Sequence, residues 1–391
     1  MQRTGRVQRW AAAAAAIVLP FFIGCSDFFP PIHGGGGGGG GGGSTVNRVY
    51  VANRQARSIG GFVIGTGTLA AVNNSPVATS YGPLSIVVTP NNSLLYVGAN
   101  TGIFVYFINS DGSLTTPSTG SQPAGVFAAS LAVSPDGQWL IALDGTTQQL
   151  DIFQINATTG GLTSLGPPAT ATATYSATTG VWQPSQVRVS PDGTLIFAAL
   201  GTAGDVVFTF NTTTGAAVSS QTLLTGNTAT GDYGLAISPK TTYLYIARSG
   251  TNGGVAVYSI GAAGALSPVN GSPFAAGSGT FDVALDNTGT YVYAANRTDG
   301  TISSYTIVPS TTNTAALSLT PINGSPYPSG AFVQSLGADS TGKYILAAAF
   351  SGGPDLTMYS FDATVAGKLN QATSVATGVD PAGATELALT H

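Results

Sequence analysis

Gln186-Val187-Arg188-Val189-Ser190-Pro191-Asp192-Gly193 is a short apolar-rich run that stops in a Ser-Pro-Asp-Gly turn. The same phrase stands at Ser130-Leu131-Ala132-Val133-Ser134 before Pro135-Asp136-Gly137. Looser copies are Ser85–Thr89 before Pro90-Asn91 and Gly234–Ser238 before Pro239-Lys240. Asp282–Asp286 and Ser335–Asp339 follow, before Asn-Thr-Gly and Ser-Thr-Gly. The seventh copy, Glu386-Leu387-Ala388-Leu389-Thr390, has no turn after it, because the chain stops at His391. A spacing of roughly fifty residues marks a radial array of similar units rather than a string of separate domains.

Outward from each copy the pattern is that of strands. A second apolar run follows the turn, as in Leu95-Tyr96-Val97, Leu195-Ile196-Phe197 and Val292-Tyr293-Ala294. A third comes next, as in Ile103–Phe107, Val255–Ser259 and Leu356–Ser360, and a weaker fourth follows a glycine at Leu114, Leu162 and Leu266. Bursts of four to six apolar residues between Gly, Pro, Asn and Asp clusters are strand grammar, and no sustained helical spacing is present. The sequence therefore predicts an all-β chain, a seven-bladed β-propeller with four antiparallel strands per blade. The count closes at the ends. Val49–Asn53 reads as a second strand without a first, and Glu386–Thr390 as a first strand without a second. Pairing them completes the seventh blade and removes two exposed sheet edges.

Charged residues make up 7% of the 391, and the net charge is −4. With Lys and Arg this sparse there is no basic stripe for nucleic acid, which excludes that class of partner. Residues 1–24 read as a lipoprotein-type signal peptide. Arg3, Arg6 and Arg9 precede an apolar stretch, Ala11–Ile23, that is too short to span a bilayer, which takes about 20 residues. The stretch ends at Phe22-Ile23-Gly24-Cys25, and Cys25 is the only cysteine. This resembles a bacterial lipobox, so Cys25 is the expected lipidation site and the membrane an expected partner through that lipid. Residues 25–45 hold ten consecutive glycines, Gly34–Gly43, a flexible tether with a reach of about 16–19 Å. Residues 46–391 form the propeller. The expected location is the bacterial cell envelope, outside the cytoplasm.

The resemblance extends to a family. Tyr50-Val51-Ala52-Asn53 and Tyr293-Ala294-Ala295-Asn296 look like YVTN-type repeats, and the Ser-Pro-Asp-Gly turns fall at 134–137 and 190–193. "Asn-Gly-Ser-Pro-aromatic" phrases stand at Asn270–Phe274 and Asn323–Tyr327, with a degenerate copy at Asn73-Asn74-Ser75-Pro76. Across residues 46–391 the chain resembles the seven-bladed lactonase-like propellers, a group that includes 6-phosphogluconolactonase-type proteins. The resemblance implies lactone hydrolysis. In that family a "Pro-x-His"-like segment often starts a first strand, where this chain has Pro184-Ser185-Gln186. A glutamate is common in a second-to-third-strand loop, where this chain has Asn53, Asn100, Arg248 and Asn296.

The residues that start the first strands, and the loops after the second strands, are expected at one mouth of the central channel. That set comprises Ser85, Ser130, Gln186, Gly234, Asp282, Ser335 and Glu386, with Arg54, Asp144, Arg248 and Arg297 from the loops. Glu386 is the only glutamate. Arg188 stands mid-strand where other blades carry small residues, so it is expected to reach channel water or a carboxylate. Glu386 and Asp282 are the candidate catalytic carboxylates; Arg54, Gln186, Arg188, Arg248 and Arg297 are candidate ligand-binding residues. A general base near neutral pH is usually His or a buried carboxylate, and the propeller's sole histidine is His391. That scarcity rules out Ser-His-Asp and His/Cys metal sites, so no metal and no cofactor are expected. These residues favour a binding or scaffold module, with a small polar or anionic ligand or an envelope protein as partner. The alternative is a lactonase-type hydrolase using Glu386 or Asp282 as base and Arg248 or Arg297 to hold an anionic substrate.

Overall fold

Every repeat phrase forms the inner strand of an antiparallel sheet with a main path of four strands, and three of the seven sheets carry a short fifth. In blade order these strands are Ser85–Val88, Ala128–Val133, Gln186–Val189, Thr230–Ile237, Thr280–Leu285, Val333–Ala338 and Ala384–Leu389. A computed structural model describes residues 46–117, 126–146, 149–165, 169–170, 185–223, 229–310 and 316–391, all within the unit Gly41–His391. The signal peptide, tether and Cys25 expectations lie outside the described residues. Each inner strand touches the next all the way round, and Ala384–Leu389 touches Ser85–Val88 to complete the circle. Seven sheets arranged this way are the expected seven-bladed propeller.

Closure is as expected. Ala384–Leu389 pairs antiparallel with Arg48–Asn53, with Val49 opposite Leu389 and Val51 opposite Leu387. The amide of Arg48 donates to Thr390 Oγ1 at 2.8 Å, and the amide of Thr390 donates to the Arg48 carbonyl at 3.0 Å. The last residue is clasped to blade 1: the His391 amide donates to Asn92 Oδ1, and Asn92 Nδ2 donates to the His391 carbonyl, both at 2.8 Å.

The apolar core lies between blades rather than inside a single centre. Seven clusters fill the seven interfaces, one of them joining Tyr50 and Ala388 of blade 7 to Ile86 and Leu95 of blade 1. Second-strand tyrosines bridge these interfaces. Tyr50, Tyr96 and Tyr293 are fully buried, and each hydroxyl donates to a glycine carbonyl of the next blade: Gly112, Gly160 and Gly367, at 2.8 to 2.9 Å. Gly367 has φ +75°, and a Cβ there would sit 2.4 Å from the Tyr291 ring, so only glycine fits.

The turn chemistry explains much of the sparse charge. Ser134 Oγ donates to Asp136 and accepts from the Trp139 amide. In blades 5 and 6 an aspartate replaces the serine: Asp286 Oδ1 accepts from the Thr290 and Tyr291 amides, and Asp339 Oδ1 from Lys343 and Tyr344. The Ser-Pro phrases also have a structural task. Ser75, Ser272 and Ser325 accept from third-strand amides of Gly61, Val257 and Ser304. Short strands Val77–Ala78 and Tyr327–Pro328 then pair with the third strands, an addition that the four-strand reading does not include.

Candidate functional site

The ring of first-strand residues stitches neighbouring blades together. Ser130 Oγ accepts from the Val187 amide at 3.1 Å, and Gln186 Oε1 from Leu235 at 2.5 Å. Asp282 Oδ2 accepts from Leu336 at 2.8 Å, Ser335 Oγ from Leu387 at 3.2 Å, and Glu386 Oε2 from Ile86 at 3.0 Å. In every case the donor is the residue just after the ring position of the following blade. Ser85 instead donates to the Ala128 carbonyl at 3.3 Å. Gly234 has no side chain to give, and a Cβ on it would meet Asp282 at 2.4 Å.

The channel mouth itself is lined by the residue before each ring position: Leu84, Ala129, Ser185, Tyr233, Phe281, Gln334 and Thr385, together with Gln186, Gly234, Ser335 and Glu386. A one-residue register shift explains why. The pairing skips Ala129, Phe281, Gln334 and Thr385, and one residue between Asp232 and Leu235, so each is a β-bulge that re-aims a side chain. The mouth has two sides. Tyr233 and Phe281 stack with centroids 4.9 Å apart, and the Arg297 guanidinium lies over Phe281 at 4.9 Å and Phe332 at 5.4 Å. Gln334, Thr385 and Glu386 make a polar side.

Glu386, Arg188, Gln186 and Asp282 are brought together. Arg188 reaches Glu386 Oε1 at 3.4 Å, and Gln186 Nε2 donates to Asp282 Oδ1 at 3.4 Å. Burial pushes the Glu386 carboxyl up to about 7, against the pull of Arg188 and the Ile86 amide, with the Asp282 charge adding to the rise. Asp282 goes up to about 6 for the same leading reason, opposed by Arg188 and the Leu336 amide. The two differ in access. Glu386 lines the mouth, whereas Asp282 is 2% exposed and is not part of the lining.

The other candidates lie elsewhere. Arg248 is locked on Asp232 by two bonds, Nε to Oδ1 at 2.6 Å and Nη2 to Oδ2 at 2.7 Å, so holding a substrate anion is not its resting task. Asp205 faces this pair; burial, reinforced by the Asp232 charge, pushes it well above the usual carboxylate range. Asp144 is buried, with Oδ1 accepting from the Thr146 amide. Arg54 lines a separate cavity with Arg57. The sequence pattern missed Tyr233, Phe281 and Gln334 at the mouth, because strict alternation does not register a bulge. Among the described residues no group of three or more His, Cys, Asp or Glu side chains could hold a metal, and no helix is long and apolar enough to cross a membrane.

The family model for lactonases with a seven-bladed β-propeller matches residues 85–177 and 201–326, more than half of the chain. The chain belongs to that lactonase family. Among solved structures, a 6-phosphogluconolactonase candidate from Bacteroides uniformis superposes with a TM-score of 0.69 at 18% identity, covering 88% of this chain and 99% of its own. The periplasmic gluconolactonase PpgL of Pseudomonas aeruginosa gives 0.67 at 15%, covering 89% and 99%. Hydrazine synthase of Kuenenia stuttgartiensis gives 0.61 at 16%, covering 80% and 91%. At such identities the likeness concerns the fold, which supports several activities. No curated protein matches the chain.

Proposed function

We propose that the protein is an extracytoplasmic lactonase-type hydrolase whose reaction takes place at the channel mouth. The observation that carries this reading is Glu386 at a mouth to which all seven blades contribute, with Arg188 behind it against Oε1. A carboxyl that titrates near 7 is half ionised at neutral pH, which suits a general base. The mouth cavity, about 50 Å³, accommodates a few waters but not a sugar ring. The lactone therefore lies across the mouth, with its carbonyl directed at Glu386. Glu386 takes a proton from water, and the water oxygen bonds to the carbonyl carbon. Arg188 holds the oxyanion that forms. The ring C–O bond then breaks, and its oxygen recovers the proton from Glu386. Arg297 on its aromatic rim offers a cation for a substrate anion.

A binding or scaffold role is the second reading. It is favoured by one observation: Ser130, Gln186 and Ser335 do the same stitching as Asp282 and Glu386, so carboxylates at these positions need no catalytic reason. Envelope attachment through Cys25, after a signal at 1–24 and ahead of a tether at 25–45, completes the proposal. It is supported by the pattern of Arg3, Arg6, Arg9 and the short apolar stretch. The test is proton release on a panel of sugar and acyl lactones with the full chain. Turnover that Glu386→Gln reduces at least 100-fold, at a melting temperature no lower than the parent's, supports the hydrolase. Absence of turnover across the panel, or turnover untouched by Glu386→Gln, overturns it.

A further inference from the structure

Six arginines lie between residues 46 and 391. Arg188 meets Glu386, Arg248 meets Asp232, and Arg297 packs on Phe281 and Phe332. Arg48 is buried and donates to the Ser110 carbonyl at 2.6 Å. The remaining two, Arg54 and Arg57, are exposed and have no carboxylate partner among the described residues. Both line one cavity of about 730 Å³, inside the range of about 300–1,000 Å³ typical of small-molecule sites.

The cavity wall is firmly built. The Arg54 amide donates to the Gly383 carbonyl, and the Arg57 carbonyl accepts from the Thr79 amide, both at 2.8 Å. Arg57 holds φ +47°, a left-handed conformation that a non-glycine residue rarely adopts. Aromatic rings form another part of the lining. Tyr81 and Phe104 stack with centroids 3.6 Å apart, and the Tyr81 hydroxyl is tied to that of Tyr106 at 2.7 Å. Phe104 and Phe127 are half-buried and also line the space. No carboxylate is among the lining residues to neutralise the arginines.

Two guanidinium groups suit a carboxylate or phosphate, which they can bond in a fork, and aromatic faces suit a flat ring. We infer that this cavity binds a small anion carrying a flat ring, its charged group on Arg54 and Arg57 and its ring against Phe104 and Phe127. The cavity shares Leu84 with the mouth but is not lined by Glu386, so the inference stands whether or not the mouth hydrolyses lactones.

Calorimetric titration of the full chain with phenyl phosphate, benzoate and inorganic phosphate tests it. Phenyl phosphate is expected to bind at least tenfold more tightly than inorganic phosphate. Arg54→Gln and Arg57→Gln, both exposed and harmless to folding, are each expected to weaken it tenfold or more. Phe104→Leu, or Phe127→Leu if the first disturbs the Tyr81 stack, should bring phenyl phosphate to the level of inorganic phosphate. The ratio of benzoate to phenyl phosphate tells a carboxylate site from a phosphate site. Equal affinity for phenyl and inorganic phosphate, or binding unaffected by both arginine changes, overturns the inference.

Discussion

Two clusters in this protein are built from the same parts, a carboxyl pair and one arginine, and they end in opposite states. Beside blade 3, Arg248 of blade 4 grips Asp232 through two short bonds, and Asp205 has no donor for either oxygen among the described residues. Burial, reinforced by the Asp232 charge, favours the protonated form of Asp205. At the axis, Arg188 stands at a looser 3.4 Å from Glu386, its side chain 33% exposed, and both carboxyls take a backbone amide from the next blade. The first cluster is closed and spends its charge on pinning the first strand of blade 4 to the second. The second is open on one side and poised near neutrality. Scarce charge alone is therefore a poor guide to function; access and the tightness of the pairing separate the two.

The contrast can be broken at several points. Asp232→Ala leaves Arg248 buried without its partner, and a loss of about 3–5 kcal/mol in unfolding free energy is expected by denaturant titration. Glu386→Gln keeps an oxygen for the Ile86 amide but cannot act as a base. Turnover on a responsive lactone is expected to fall at least 100-fold, with a melting temperature no lower than that of the parent. The pH dependence of stability is a third point. Burial raises Glu386 from 4.5 to about 7 in the folded state, so the folded form binds the extra proton between those values. Stability is therefore expected to fall as pH rises through that window, by up to about 3 kcal/mol from this group, and to level off above it. Glu386→Gln should reduce that slope in chemical denaturation at pH 5, 6 and 7, leaving below about 6 the part that Asp282 contributes. The smallest effect is Asp205→Asn. It replaces a protonated carboxyl with a neutral amide and is expected to change stability by less than about 1 kcal/mol, whereas a loss as large as that of Asp232→Ala would mean that Asp205 is charged.

The repeat made the ring legible because six of the seven inner strands end in a turn that their own sequence dictates, as Ser134 with Asp136 and Asp286 with Thr288 show. Closure was legible for the same reason: Glu386–Thr390 had a strand pattern and needed the partner that Val49–Asn53 supplied. A large cation among small axial residues left two outcomes open for Arg188, channel water or a carboxylate, and the structure gives the second. The rim was not legible. Bulges at Phe281, Gln334 and Thr385 move side chains by one position without altering composition or period. Nor could the chain order show that Arg248 would find Asp232, since that pairing depends on a cross-strand register within blade 4. Arg54 was grouped with the mouth by its place after a second strand, but its turn directs it to the side cavity.

The most direct measurement is the pH–rate profile of lactone hydrolysis by the full chain, taken alongside an Arg188→Met variant. With Glu386 as base, the rate should rise with pH with a midpoint near 7. Removing the cation that favours the ionised carboxylate should move that midpoint to higher pH. A profile that is flat between pH 5 and 9, or a midpoint unmoved by Arg188→Met, would contradict a working Glu386–Arg188 pair at the mouth.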